Sequence, residues 1–104
     1  MVGEVVLYKR WVLRPGVRLD DVVGLVRTRV VPRYRDLSPH AVIELHAVDE
    51  STVLAVQRWR SRGDLDTAFS SDRFQAWWAG YMPTLRAWDE LVVFDVEWEA
   101  EVLG

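Results

Sequence analysis

Along residues 91–103, LVVFDVEWEAEVL, apolar and acidic positions alternate: Phe94, Val96, Trp98, Ala100 and Val102 against Asp95, Glu97, Glu99 and Glu101. A period of two sends successive side chains to opposite faces, so the segment predicts a strand with one apolar and one acidic face. Residues 4–13, EVVLYKRWVL, are rich in β-branched and aromatic types and stop at the turn signal Arg14-Pro15-Gly16, which predicts a first strand. AVIELHAV (41–48) and TVLAVQRW (52–59) flank Asp49-Glu50-Ser51 and predict a hairpin. Before that hairpin, Leu19, Val22, Val23, Val26 and Val30 recur at helical spacing behind Asp20 and Asp21, whose carboxylates suit the positive end of a helix. Gly24 weakens this helix, and Pro32 is expected to end or kink it.

In the stretch from 61 to 90, Ser61 is placed to cap a short helical turn, and Ser70-Ser71-Asp72 offers caps for a longer helix. Phe74, Trp78, Tyr81, Leu85 and Trp88 then form one helical stripe, with a kink expected near Gly80–Pro83 and Pro83 opening the next turn. The order β-α-β-β-α-β predicts an α+β, ferredoxin-like fold: a four-stranded antiparallel sheet with both helices on one face. The helix-free face still carries apolar residues, and a symmetric homodimer pairing two such faces would cover them.

Composition narrows the chemistry. At 104 residues the chain is read as one domain, 1–104, with half its residues apolar and 28% charged. A net charge of −3 gives no general attraction to nucleic acid or to an anionic membrane surface, so neither is expected as a partner. The absence of cysteine excludes disulfides, thiolate catalysis and cysteine metal sites. His40 and His46 are the only histidines and are not spaced as a ligand pair, so no metal site is assigned. The N-terminal stretch, broken by Glu4, Lys9 and Arg10, does not read as a signal peptide, and no apolar run reaches membrane-spanning length; a cytoplasmic protein is expected.

The stretch QRWRSRGDLDTAFSSDRFQAWW (57–78) resembles the third strand and following helix of the antibiotic-biosynthesis monooxygenase family, which are dimeric α+β barrel proteins. The matching positions are Trp59, Arg60-Ser61, Leu65, Ser71-Asp72 and Phe74, and the order of elements agrees over the whole chain. The resemblance implies chemistry without a cofactor on an aromatic or polyketide-type substrate, held between sheet and helices. Departures are equally informative. Ala55 stands where cofactor-free anthrone oxygenases of that family carry an asparagine, and Ala68 where many quinol-type members carry a histidine. The haem-degrading branch would need its asparagine at Lys9, its tryptophan at Ala68 and its axial histidine at Trp78. An indole has no lone pair to offer iron, so haem ligation from Trp78 is excluded.

If Lys9 takes the family's inward position, alternation places Leu7, Lys9 and Trp11 on the pocket side, with Ala55, Gln57 and Trp59 from the third strand and Phe94, Val96 and Trp98 from the fourth. Trp78, Phe74 and Tyr81 would close the pocket from above. The expected site is an aromatic box with Lys9, Gln57 and the Tyr81 hydroxyl as its polar groups, fit for a flat polycyclic guest. Candidate substrate-binding residues are therefore Trp11, Gln57, Trp59, Phe74, Trp78 and Trp98. The same stripe also reads as plain core, and a shifted alternation would leave Lys9 in solvent. Lys9 is the candidate stabiliser of a substrate anion, and Tyr81 or His46 the candidate proton donor. Glu44 and His46 share one face of the second strand, as an acid–base couple or as a surface pair. The acidic row of the last strand is no single-metal site, because same-face neighbours lie about 7 Å apart. Two functions stay open: a cofactor-independent monooxygenase or cyclase, and a non-catalytic ligand-binding or accessory dimer.

Overall fold

Asp49 closes a two-residue hairpin turn. Its Oδ1 accepts from the Ser51 amide at 2.8 Å and from the Ser51 hydroxyl at 3.1 Å, closing the turn between β2 (Ala41–Asp49) and β3 (Thr52–Trp59). The hairpin extends into a four-stranded antiparallel sheet of order β2-β3-β1-β4, with β1 at Val5–Leu13 and β4 at Val92–Glu101. This computed structural model describes residues 3–104. All helices lie on one face of the sheet, giving the ferredoxin-like α+β arrangement expected from the order of elements. Extents of 41 × 34 × 20 Å fit one sheet and one helix layer, since each layer is about 10 Å thick.

Pro32 shapes the first helical stretch. A helix through it meets a ring that clashes with the carbonyl four residues back and offers no amide. The chain answers with α1 (Leu19–Leu25), a π-helical segment (Val26–Val30) and α2 (Val31–Leu37), in which Pro32 sits in the first turn, where no amide donor is needed. Val22, Val26, Val30 and Leu37 all remain buried, so the wider turn keeps the apolar stripe facing the sheet. Ser61 caps α3 (Arg62–Ser70) by accepting from the Asp64 amide at 3.1 Å. Ser71 does not cap the next helix; its hydroxyl turns back to the Ala68 carbonyl at 2.8 Å. The last helix, α4 (Phe74–Leu91), is continuous through Pro83, which lies inside it and does not open a new helical segment as expected. Ala79, whose carbonyl loses its helical donor there, is exposed, so water can satisfy it.

The larger departure is a β-bulge. Trp11 pairs with Phe94 but Arg10 pairs with Val96, leaving Asp95 as the extra residue. Unbroken alternation would have put Phe94, Val96 and Trp98 on one face. The bulge keeps Phe94 beside Trp11 on the helix side, but sends Val96 and Trp98 to the open side, opposite Arg10 and Tyr8. Glu97 and Glu99, opposite Lys9 and Leu7, come to the helix side in exchange.

Two clusters fill the space under the helices. One gathers Val5, Trp59, Leu65, Ala68, Trp77 and Tyr81; the other Leu13, Val22, Val26, Val53, Trp88 and Val92. Removing these side chains from water is the main stabilising term of the fold, about 1.5–3 kcal/mol for each large one.

Candidate functional site

Trp59 is wholly buried at the end of β3, and an indole N–H removed from water needs an acceptor. It donates to Oε1 of Gln57, its same-face neighbour two residues back. With that oxygen occupied, the Gln57 amide has its N–H groups to offer, and the Tyr34 hydroxyl lies within their reach. Tyr81, buried on α4, reaches the same Tyr34 oxygen. Three elements thus deliver a polar chain into an aromatic interior: β3 brings Gln57 and Trp59, α2 brings Tyr34, and α4 brings Tyr81.

The electrostatics give each phenol a role. Burial pushes the Tyr81 hydroxyl well above the ordinary phenol range, and the charge and hydrogen bonding of the neighbouring Tyr34 hydroxyl add to that shift. Burial raises Tyr34 as well, while donation from Gln57 and Tyr81 pulls in the other direction. Both phenols are therefore neutral donors at physiological pH. The opposite effects of the two phenols on each other are those of a Tyr81 hydroxyl directed toward the Tyr34 oxygen, which leaves the Tyr34 proton without a partner inside the trio.

Rings surround this chain closely. Tyr34 meets Trp77 edge-on at 5.1 Å and Tyr81 at 5.6 Å, while Trp77 stacks on Tyr81 at 5.0 Å and on Phe74 at 5.7 Å. Trp59 and Phe74 both contact Phe69. The interior expected as an open box is thus largely filled by side chains. Two open depressions lie elsewhere: one of about 530 Å³ at the sheet end beside Glu4, His40 and Arg58, another of about 400 Å³ beside residues 69–75. Neither is lined by Tyr34 or Tyr81.

The structure sorts the candidate residues. Gln57, Trp59, Phe74 and Tyr81 come together as described. Trp78 does not point inward: it is 44% exposed, stacked on Phe74, and the adjacent Trp77 takes the buried position. The inward stripe of α4 is Trp77, Tyr81, Thr84 and Trp88, which shares Tyr81 and Trp88 with the expected one and puts Trp77 and Thr84 where Trp78 and Leu85 were expected. Trp11 lies on the helix side at the other end of the sheet, edge-on to Trp88 and Phe94, with its indole N–H buried and unpartnered. Lys9 is on the helix side by register, but its side chain is half exposed and its ammonium lies 3.7 Å from Glu97. Trp98 is on the open face, stacked on Tyr8 at 5.2 Å, because of the bulge at Asp95. His46 is also on the open face, 3.5 Å from Glu44, so the sheet separates it from the tyrosines. Tyr34 was not among the sequence candidates; it continues the stripe Val22, Val26, Val30 by one more turn, which was the signal for it.

No protein-family model matches the chain, and no curated protein matches it. Solved structures do. SnoaB, a cofactor-independent oxygenase from Streptomyces nogalater, aligns over 98% of this chain and 93% of its own at a TM-score of 0.60 and 12% identity. HapK from Hahella chejuensis aligns over 97% and 93% at a TM-score of 0.60 and 20% identity. A putative antibiotic biosynthesis monooxygenase from Chloroflexus aurantiacus aligns over 97% and 94% at a TM-score of 0.52 and 19% identity. The fold is that of the antibiotic biosynthesis monooxygenases. At these identities the likeness concerns the fold, and chemistry on this monooxygenase-like scaffold has to be argued from the side chains present. Among the described residues, no three His, Asp or Glu side chains converge as a metal-binding group, and no helix is long and apolar enough to cross a membrane.

Proposed function

We propose that the protein is a small, cytoplasmic, cofactor-independent enzyme acting on a flat, oxygenated aromatic or polyketide-type molecule, and that it works as a homodimer. The observation that carries this reading is the part-buried polar trio Gln57, Tyr34 and Tyr81 set among aromatic rings. Neutral phenols in a dry surrounding stabilise negative charge that develops on a carbonyl or phenol oxygen, and they need no reorganisation to do so. The half-exposed rings of Trp78 and Phe94 offer stacking surface to a planar guest. Lys9 and its partner Glu97 supply the charged groups on the same side of the sheet.

Two reactions fit such donors. In oxygenation, an electron-rich carbon of the deprotonated substrate gives an electron to dioxygen and the two combine; one oxygen stays as a new carbonyl and the other leaves as water. In cyclisation, an enol carbon attacks a carbonyl within the same molecule, and the carbonyl oxygen takes a proton. Both reactions build charge on an oxygen, which the Tyr34 hydroxyl would stabilise once the rings that fill the interior part to admit the substrate. The homodimer is supported by the open face, where Val12, Val42, Val48, Val93, Val96 and Trp98 are each 39–51% exposed.

The deciding experiment incubates the protein, and its Tyr34→Phe and Tyr81→Phe variants, with an anthrone, a dihydroquinone and a linear poly-ketone, under air and under argon. Turnover only in air assigns oxygenation, and turnover in both assigns cyclisation. Tight binding without turnover assigns the accessory, ligand-binding alternative, which the absence of any proton acceptor among the groups hydrogen-bonding the tyrosine pair favours. Phenylalanine variants that match the parent in rate and affinity would overturn the assignment of the tyrosine pair.

A further inference from the structure

Arg33 is oddly placed for a guanidinium. Among the described residues it has no carboxylate within 4.0 Å, and its Nε is buried without a hydrogen-bond partner. Leaving a charged group's donor unmade is costly, so the rest of the side chain must gain from its position. Three contacts hold it there. Nη2 donates to the Trp77 carbonyl at 2.7 Å, and the guanidinium carbon sits 5.8 Å from the Trp77 ring centroid. In return the Trp77 indole N–H donates to the Arg33 carbonyl at 2.7 Å. The third contact is a notch: a Cβ built at Gly80 would collide with the Arg33 guanidinium. Glycine in the middle of α4 costs helix stability, and here it makes the room the arginine occupies.

Each half of this reciprocal pair adjoins one of the two phenols. Arg33 immediately precedes Tyr34 on α2. Trp77 lies one turn before Tyr81 on α4, stacked on its ring and edge-on to Tyr34. Besides this pair and ring packing, α2 and α4 are tied, among the described residues, only at their far ends, where Arg73 donates to the Asp36 and Leu37 carbonyls, so the meeting of the two hydroxyls depends on few contacts. We infer that Arg33 and Trp77 form a clasp, seated in the notch at Gly80, that positions the Tyr34 and Tyr81 hydroxyls as one coupled donor pair. Arg33 and Trp77 are positioning residues: they act on a substrate only through the phenols. The inference rests on reading those phenols as substrate-facing donors, yet its test needs no substrate.

The chain has three tyrosines, so a Tyr8→Phe background leaves the pair as the only phenols. In that background the alkaline rise of phenolate absorbance is followed while the protein stays folded by circular dichroism, with Gly80→Ala, Arg33→Met and Trp77→Phe added singly. The parent is expected to show no phenolate in the ordinary range near 10. Gly80→Ala pushes the guanidinium out of its notch without touching either tyrosine, and should bring one phenol down into that range; Arg33→Met should do the same. Alanine normally favours a helix over glycine, so disruption by Gly80→Ala would implicate the notch itself. If either variant fails to fold, Trp77→Phe keeps a ring, removes the N–H arm, and should shift the titration in the same direction by less. Folded variants whose phenols titrate as in the parent would overturn the inference and leave Arg33 a simple strut between helices. Failure to find a substrate would count against the proposed function alone.

Discussion

The two faces of the sheet are built from similar residues and finish in opposite states. On the covered face, Trp59, Trp77 and Tyr81 are at most 6% exposed, both buried indole N–H groups are hydrogen-bonded, and the Arg33 guanidinium beside them is held by a backbone carbonyl in place of a carboxylate. On the open face, Tyr8 stacks on a half-exposed Trp98, and the polar groups are ions: Arg58 meets Glu44 at 2.6 Å and Glu4 at 2.9 Å, and Arg10 meets Asp95 at 3.3 Å. Charge tolerates the open face because water still reaches it. Neutral donors suit the buried part of the covered face, whereas the ion pairs on that side, Lys9 with Glu97 and Arg62 with Glu99, keep about half of their side-chain surface in water. What separates the proposed place for chemistry from the proposed place for assembly is therefore the helix layer, more than the residue types.

Breaking the comparison is easiest where burial differs most between neighbours. Trp77→Ala should destabilise the fold by about 3–5 kcal/mol, whereas Trp78→Ala, one residue on, should cost less than about 1 kcal/mol. Denaturant unfolding of the two variants checks this, and equal losses would erase the distinction between inward and outward rings. On the open face, Val96→Asp should leave the protomer folded and shift sedimentation from dimer to monomer, because a carboxylate would enter a seam without a partner. A monomeric parent would remove the assembly half of the comparison.

Smaller effects separate the faces by pH. The Tyr34 and Tyr81 phenols are raised in the folded state, so the stability they contribute is complete below the unfolded value of about 10 and is lost as pH rises through the folded values. Alkaline unfolding should therefore begin above about pH 10 and be blunted in Tyr81→Phe. Glu44 shows the opposite sign: donation from Arg58 holds its carboxyl below the usual range. Its contribution is present above the unfolded value of about 4.3 and fades as pH falls through the folded one. Since the pair is more than a third exposed, Glu44→Gln should change stability by no more than about 1 kcal/mol, measured by urea unfolding at neutral and acid pH.

Much of this was legible in the residues. Periods of two and 3.6, with turn signals at Arg14-Pro15-Gly16 and Asp49-Glu50-Ser51, specify the order of elements and the one-sided helix layer. Gln57, Trp59, Phe74 and Tyr81 were legible as partners because strand parity and helical spacing both place them. Trp98 was not, because a single extra residue at Asp95 reverses every side chain after it and leaves no mark in composition. Trp78 and Trp77 differ by one position, about 100° around a helix, and aromatic content alone cannot set that phase. Tyr34 escaped because Pro32 suggests a helix end just before it, whereas the π-helical segment lets the chain continue.

The central claim is that the chemistry belongs to the covered face, and paired affinity measurements test it most directly. A hydroxylated polycyclic ligand is titrated into the parent, Tyr81→Phe and His46→Ala. Tyr81→Phe should weaken binding, because the Tyr34 hydroxyl loses the neighbour that donates toward its oxygen, and His46→Ala should bind as the parent does. Loss of binding in His46→Ala with Tyr81→Phe unchanged would place the ligand on the open face and contradict the account.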